Sequence, residues 1–388
     1  MRVILVYSFL VMAASPFVYY LLAIYSSWRF FAQAAAKPDT DSSFRPPISN
    51  LKPIRGLDPD AYENFASFCR QDYPDYEIVF CVDNKEDAIL PTIERLRNEF
   101  PERPIRVLYG SGRIAANDKV AKLARMVSEA EHEFLVISDS DVRVKPDYLR
   151  TVIAPLADPA VGAVTCPYVP TQDVTVLESL QSIGMFSDFY AGCFVARELD
   201  GVKFALGPTI ATTRTHLASF GGYASIENRP ADDLLVGRMI AGQGYRVELL
   251  PYAVGTVPDY GSLRDLFHKR LRWMTVMRHM RPAGHFGLVF TQGLPWSLAA
   301  IAIHPTLAIA ATYLALYFGL RVAMTWVIGI HGLKQDHLIK NLALIPVWDA
   351  LALVIWLASF AQRSIRWRGS NYLIRDGLLV PLSASKSS

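Results

Sequence analysis

Two aspartates, Asp139 and Asp141, directly follow the apolar run 133–138 (EFLVIS). In an irregular loop such a pair can share one divalent cation. Mg²⁺ and Mn²⁺ take oxygen ligands and commonly bridge one or two carboxylates to substrate phosphates. A DxD in isolation equally suits a solvated turn, but here another acid, Asp83 beside Asn84, ends an earlier apolar run (76–82, YEIVFCV). Further on, Asp232 and Asp233 open an amphipathic stretch over about 232–242. One of them suits a helix cap and the other a general base. The stretch His268-Lys269-Arg270-Leu271-Arg272-Trp273 suits a helix lying on a membrane surface. It also suits a clamp for a departing diphosphate, since arginine forks match phosphate oxygens. No GxGxxG follows the first strand and no GxxxxGK[ST] occurs, which argues against dinucleotide oxidoreductases and P-loop NTPases. The eight histidines show no metal-ligand spacing.

These residues need a scaffold, and the segment from about 46 to 281 supplies one. Strands are expected at 48–54, 76–82, 105–109, 133–138 and 161–165, and helices at 60–70, 87–99, 117–130 and 146–156. Strands alternating with helices imply right-handed βαβ units and a mostly parallel sheet. Ligands of such sheets bind beyond the carboxyl ends of the strands, where Lys52, Gly56, Asp83, Asn84, Asp139 and Asp141 all fall.

The flanks are different in kind. The chain has 388 residues, 52% hydrophobic and 19% charged, and its mean hydropathy is +0.21. Average soluble domains are about 25% charged. Residues 3–25 carry no charge, long enough to cross a bilayer. Arg29, Lys37 and Arg45 follow that run and only Arg2 precedes it, so the N-terminus is expected outside and the next segment in the cytosol. Residues 282–320 lack Asp, Glu, Lys and Arg, and a further apolar run, 341–360, contains Asp349. Crossings are expected at about 298–320 and about 341–360, with 283–297 interfacial or re-entrant. Arg363, Arg366, Arg368, Arg375 and Lys386 against Asp376 place the tail in the cytosol. Cys69, Cys81, Cys166 and Cys193 form no CxxC pair, which excludes a zinc ribbon and suits a reducing compartment. A net charge of +3 gives no argument for nucleic acid.

The ordered set of DxD, DD and a basic xxRW stretch before membrane helices resembles the family 2-like glycosyltransferases of GT-A fold. It is similar above all to the ceramide glucosyltransferase family, glycosyltransferase family 21. LKPIRGLDP (51–59), DYPDYEIVFCV (72–82), NDKVAKL (117–123), SDSDVRVKPDYL (138–149), VGAVTCPYVP (161–170) and Gly221-Gly222-Tyr223 carry the likeness. Bacterial hopanoid-associated glycosyltransferases look similar over the same span. The resemblance implies an α/β fold, a Rossmann-like GT-A domain at 46–281 facing the cytosol. Around it stand an N-terminal membrane helix (1–30), interfacial and transmembrane helices (282–362) and a basic tail (363–388). It implies a UDP-sugar donor, a membrane lipid acceptor in the bilayer and a divalent cation. Asp233 would be the base, and Asp139, with Asp141 beside it, would hold the metal. Lys52, Gly56, Asp83 or Asn84, Lys119, Asp232, Arg270, Arg272 and Trp273 would face the substrate. The position usually held by Gln or Arg in the (Q/R)xxRW motif is Lys269 here. The reaction implied is inverting transfer of a sugar, glucose first, to a ceramide-like hydroxyl. The alternatives are a hopanoid N-acetylglucosaminyl or other family 2 lipid or polysaccharide transferase, and a silent membrane scaffold. The membrane would be the inner membrane of a bacterium, or Golgi or ER in a eukaryote.

Overall fold

The computed structural model describes residues 1–36, 43–171, 175–258, 261–367 and 370–382. Lys37, Arg368 and Lys386, counted above among the orienting charges, lie outside the described residues. The chain divides into two compact units. One comprises Met1–Ala35, Asp173–Gly201 and Tyr260–Ile374; the other comprises Ala36–Gln172, Val202–Asp259 and Arg375–Ser388.

Along the chain, α1 (Arg2–Ala13) and α2 (Ser15–Ala36) form the N-terminal apolar helix, broken at Ala14 just before Pro16. Then come β1 (Ile48–Pro53), α3 (Ala61–Cys69), β2 (Tyr76–Val82), α4 (Leu90–Glu99), β3 (Ile105–Tyr109), α5 (Asp118–Glu129) and β4 (Phe134–Ile137). The short β5 (Val142–Arg143), α6 (Tyr148–Ile153), β6 (Val161–Thr165) and β7 (Tyr168–Pro170) follow. A π-helical turn, Met185–Phe189, joins α7 (Val176–Gly184) to α8 (Tyr190–Asp200). Next are β8 (Ile210–Thr213), α9 (Arg214–Ala218), α10 (Asp232–Gly242), β9 (Arg246–Leu249) and β10 (Val254–Thr256). The last stretch holds α11 (Leu263–Met280), α12 (Pro282–Gly287), α13 (Gly293–Ile303), α14 (Leu307–Thr325), α15 (Ile345–Ala361) and the strands β11 (Ser364–Trp367), β12 (Ser370–Arg375) and β13 (Leu378–Pro381).

The α/β unit is built on a seven-stranded sheet of order β3-β2-β1-β4-β8-β6-β9. β1 pairs in parallel with β2 and β4, β2 with β3, and β6 with β9, whereas β8 runs antiparallel between β4 and β6. Every residue of β1 and β2 is buried, as central parallel strands covered on both faces must be. Phe65 and Phe68 of α3, Phe80 of β2, Val136 of β4 and Tyr148 of α6 share one apolar core. Burial of such rings contributes most of the stability available to a layer of this size. The consequence for function is register: the carboxyl ends of β1, β2 and β4 stop side by side, delivering Lys52, Asp83 and Asp139 to one edge.

In the other unit, three helices are long and apolar enough to cross a membrane: Arg2–Ala35, Leu307–Gly332 and Asp336–Ala361. A fourth candidate is the pair Pro282–Thr291 and Gly293–Ile303, bent by 53°. The expected crossing at 298–320 is therefore two helices. α13 stops at Ile303, and Thr306 caps α14 by accepting from the Ile309 amide, with Pro305 between them. Contact registers give the directions. Tyr313 donates to the Leu10 carbonyl, Arg321 lies over the Tyr20 ring, and Gly332 leaves room for Phe31, so α14 runs parallel to α1 and α2. The Phe9 ring packs at a tilt against Trp296 while the Tyr20 hydroxyl meets Thr291 and Gly293, so α13 runs antiparallel. α15 starts level with Arg321 through Asp349 and ends at α11 and α12. There Ser359 meets His285, and Arg278 donates to the Phe360 and Gln362 carbonyls.

Candidate active site

The site grows from the strand ends of the α/β unit. Lys52 closes β1 fully buried, with its ammonium 3.1 Å from the Asp139 carbonyl, 3.3 Å from Ser138 Oγ and 3.4 Å from the Phe68 ring centroid. Burial pushes it down to about 7, against the pull of Asp139 and Asp141. Lys52 thus braces the DxD loop from below. Gly56, four residues on, has φ +71°, a turn that an L side chain resists. It brings its amide to within 3.5 Å of Asp87 Oδ2.

Asp83 continues β2. One carboxylate oxygen pairs with Lys122 and the other lies 3.7 Å from Arg55. Lys122, 1% exposed, also donates to the Ile54 carbonyl at 2.7 Å and pairs with Asp118 at 3.1 Å. Asn84 instead accepts the Glu86 amide in an exposed turn. Of the two neighbours, Asp83 is the one fixed by the scaffold.

Asp139 and the paired acids of α10 meet around Lys119. Asn117 caps α5 by accepting the Val120 amide, and it donates to the Arg229 carbonyl at 3.0 Å. That places Lys119 Nζ 2.6 Å from Asp139 and 3.2 Å from Asp232. Burial alone would lower the Lys119 pKa, but the two carboxylates hold it well above its ordinary value. Asp233 accepts from the Gly207 amide at 3.1 Å and from the Leu234 amide at 2.8 Å. Burial, then the neighbouring Asp232, pushes the Asp233 carboxyl up to about 6, with Lys119 pulling the other way. Ala231, just before the pair, has φ +56°. A non-glycine residue in that region costs about 1–2 kcal/mol and sets the entry angle of both acids.

Gly207 is a functional residue that sequence reasoning missed. A Cβ there would come within 3.1 Å of Asp139 Oδ2 and 3.3 Å of Asp233 Oδ2, so both carboxylates face one bare stretch of backbone. Gly237 of α10 makes the same close approach possible from behind, since its hydrogen faces the Phe204–Ala205 backbone. Lys122 is a second such residue, visible in sequence only as one lysine among many. The buried Tyr223 hydroxyl has no hydrogen-bond partner among the described residues.

Among the described residues no three His, Cys, Asp or Glu side chains form a metal-ligand set. The donor chemistry nonetheless fits a hard cation. Asp139 and Asp141 offer only oxygen, and Asp139 turns Oδ2 toward the cradle that a Cβ at residue 207 would fill. Two-carboxylate sites of this kind are completed by substrate phosphates and water.

Lys269, Arg270, Arg272 and Trp273 belong to the other unit, on α11. Ser262 caps that helix by accepting the Asp265 amide. Arg270 donates to Gln181 at 2.8 Å, and its guanidinium stands 5.0 Å from the ring centroids of both Trp273 and Trp348.

A profile of glycosyl transferase family 21 matches residues 8–380. The chain belongs to that family. As a family 21 member it is similar to a Caenorhabditis elegans protein named ceramide glucosyltransferase 3, at 21% identity over 361 residues. That match spans 89% of this chain and 76% of the relative. A shorter stretch of 101 residues is 33% identical to a ceramide glucosyltransferase of Komagataella phaffii, covering 25% of this chain and 20% of that one. Among solved structures, the mannosyltransferase PcManGT from Pyrobaculum calidifontis, in complex with GDP-Man and Mn²⁺, matches with a TM-score of 0.59 at 22% identity. It covers 89% of this chain and 99% of that one. The likeness carries the fold, that of a GT-A glycosyltransferase. Family membership carries the reaction class, sugar transfer.

Proposed function

We propose that this family 21 member moves a sugar from a UDP-sugar to the hydroxyl of a ceramide-like lipid, with inversion at the anomeric carbon. The observation that carries the reading is Asp233. It is a carboxyl held near 6 by burial, oriented by two backbone amides and facing the same backbone as Asp139. A base in that range is ionised at neutral pH and still accepts a proton readily. Asp233 takes the proton of the attacking hydroxyl as the oxygen bonds to the sugar's first carbon. Asp83, set by Lys122 and Arg55, orients the uracil and ribose. Lys119 holds Asp139 and Asp232 in place and brings positive charge toward the departing diphosphate. Asp139 and Asp141 would hold Mg²⁺ or Mn²⁺, which supplies Lewis-acid neutralisation of diphosphate charge when bound. Arg272, on the motif's evidence, adds a guanidinium to that task, while the contacts of Arg270 with Gln181 and two indoles suit anchoring.

The acceptor reading rests on the membrane unit. Three stretches carry the length and apolarity of a crossing: α1–α2, Leu307–Gly332 with α14, and Asp336–Ala361 with α15, the last where a crossing was expected at 341–360; the bent α12–α13 pair is a fourth candidate. The sugar donor is cytosolic, so the α/β unit faces the cytosol, in agreement with Arg29 and Arg45.

The test is full-length protein in lipid nanodiscs with radiolabelled UDP-glucose and N-acylsphingosine, with and without Mg²⁺ or Mn²⁺. A β-linked glucolipid is expected. An α-linked product would refute the single displacement. Transfer to hopanoid or another lipid but not to ceramide would move the assignment to that acceptor.

A further inference from the structure

We propose that the membrane unit carries a recess for the uncharged, hydrogen-bonding head of a lipid, formed by the Asp188 carboxylate, the Tyr19 hydroxyl and the open space at Gly192. The proposal deepens the acceptor reading above and rests on it.

Asp188 lies on the π-helical turn between α7 and α8, a wide turn of the kind that recurs at functional sites. Behind it stands a dense polar cluster. Arg321 of α14 donates to Asp188 Oδ1 at 3.0 Å, to the Ser187 carbonyl and to Asp349, which also accepts from Tyr317 at 2.7 Å. The Trp348 indole donates to Asp188 Oδ2, and Gly184 permits this, since any Cβ there would collide with that ring. The Arg321 and Asp349 side chains are 2% and 5% exposed, but that of Asp188 is 40% exposed. The cluster is therefore sealed at the back and open at one carboxylate.

Two further groups belong to the same unit. Gly192 stands four residues on, on the same helical face, and is exposed. The nearest heavy atom to a Cβ built on it is the Tyr19 hydroxyl, 4.0 Å away. That hydroxyl has no hydrogen bond among the described residues. Its ring packs edge-on against Tyr20, whose own ring lies 5.3 Å from the Arg321 guanidinium. An acceptor carboxylate and a phenol thus border an unfilled space in a unit whose outer surface is apolar.

Charge decides the class of occupant. The Arg321 guanidinium is shared by two carboxylates, and the group the cluster leaves open is the Asp188 carboxylate, which repels a phosphate. A hydroxyl or amide N–H matches the open carboxylate, and the phenol can donate or accept in turn. Ionisable side chains at membrane depth face cavities and mark substrate paths because leaving them against hydrocarbon is costly.

The experiment uses full-length protein in phosphatidylcholine nanodiscs, with an N-acylsphingosine bearing a diazirine in its acyl chain as probe. Wild type is compared with Asp188→Asn, Tyr19→Phe and Gly192→Leu. The last variant fills the space and removes no contact, so it decides the matter even if Asp188→Asn fails to fold. Hydrogen bonds to a charged group are worth roughly ten- to hundredfold in affinity. Half-saturation of labelling and the acceptor KM are expected to rise at least about tenfold in Asp188→Asn and Gly192→Leu. The KM for UDP-glucose stays unchanged, and phosphatidic acid does not compete. Wild-type labelling and KM in Gly192→Leu, or competition by phosphatidic acid, would overturn the recess while leaving ceramide as acceptor. A wild type that neither labels nor transfers sugar to ceramide would overturn the acceptor reading first, and the recess with it.

Discussion

Asp232→Asn is the sharpest probe of the proposed base. The substitution keeps shape and removes one charge beside Asp233. Asp233 stands at about 6 against an ordinary 3.8, through burial first and the Asp232 charge second. Two charges about 6 Å apart at an effective dielectric of about 20 interact by about 3 kcal/mol, or about two pKa units. Lys119, 3.2 Å from Asp232, offsets part of that field. A net fall of about one unit is therefore expected, from about 6 to about 5. The sign follows from the role. A base works ionised, so the rate falls as pH drops through its pKa, and lowering that pKa extends activity to lower pH. At pH 5, roughly one-tenth of a base of pKa 6 is ionised, against about half for one of pKa 5. Asp232→Asn should thus retain about fivefold more of its own neutral-pH rate at pH 5 than wild type does. The assay is kcat/KM for UDP-glucose from pH 4.5 to 8 at saturating acceptor. Absolute rates need not match, because Asp232 also positions Lys119; only the acid limb is read. A limb that stays put or moves up would refute Asp233 as the titrating base.

Three further outcomes are expected. Asp233→Asn should bind UDP almost normally, by calorimetry, yet lose about 10²–10⁴ in turnover; near-normal turnover there with an inactive Asp232→Asn would transfer the role. Asp139→Ala should abolish cation-dependent UDP binding and Asp141→Ala should weaken it less, an order that metal-independent binding by wild type would contradict. Arg321→Leu should destabilise the protein by about 3–5 kcal/mol, since it strands Asp349 in a buried site, whereas Arg321→Leu with Asp349→Leu should recover much of that loss in thermal unfolding.

The α/β half was legible because its signals are local. Alternating apolar runs gave β1 to β4 and β6 nearly to the residue. The positions of Asp139 and Asp233 were legible too, Asp139 just past the end of β4 and Asp233 in the first turn of α10. Gly207 and Lys122 were not, because their importance lies in what approaches them from far along the chain. Hydropathy measured the run 282–320 as one length of apolar chain and passed over the stop at Ile303, for which His304-Pro305-Thr306 was the available sign. Residues 176–200 read as part of the soluble domain, yet Leu180, Ile183, Phe186 and Phe194 bury themselves in the membrane unit. Hydropathy of one segment carries no information about which body it joins. Asp349 looked like a blemish in an apolar stretch, and its partner Arg321 like an interruption of another; only their pairing explains both.

That interleaving has a consequence in time. The first helix leaves the ribosome long before the partners it needs: Tyr20 bonds to Gly293 across a sequence separation of 273, and Leu10 to Tyr313 across 303. At about 5–20 residues per second, that is a wait of roughly 15 to 60 seconds. Throughout it, the helix sits in the bilayer with Tyr20 unpaired while an entire sugar-transfer domain is made and folded. A bystander able to hold that helix would act on biogenesis rather than on catalysis. Losing the helix by truncation would leave α13 and α14 without the Tyr20 and Leu10 contacts that hold them.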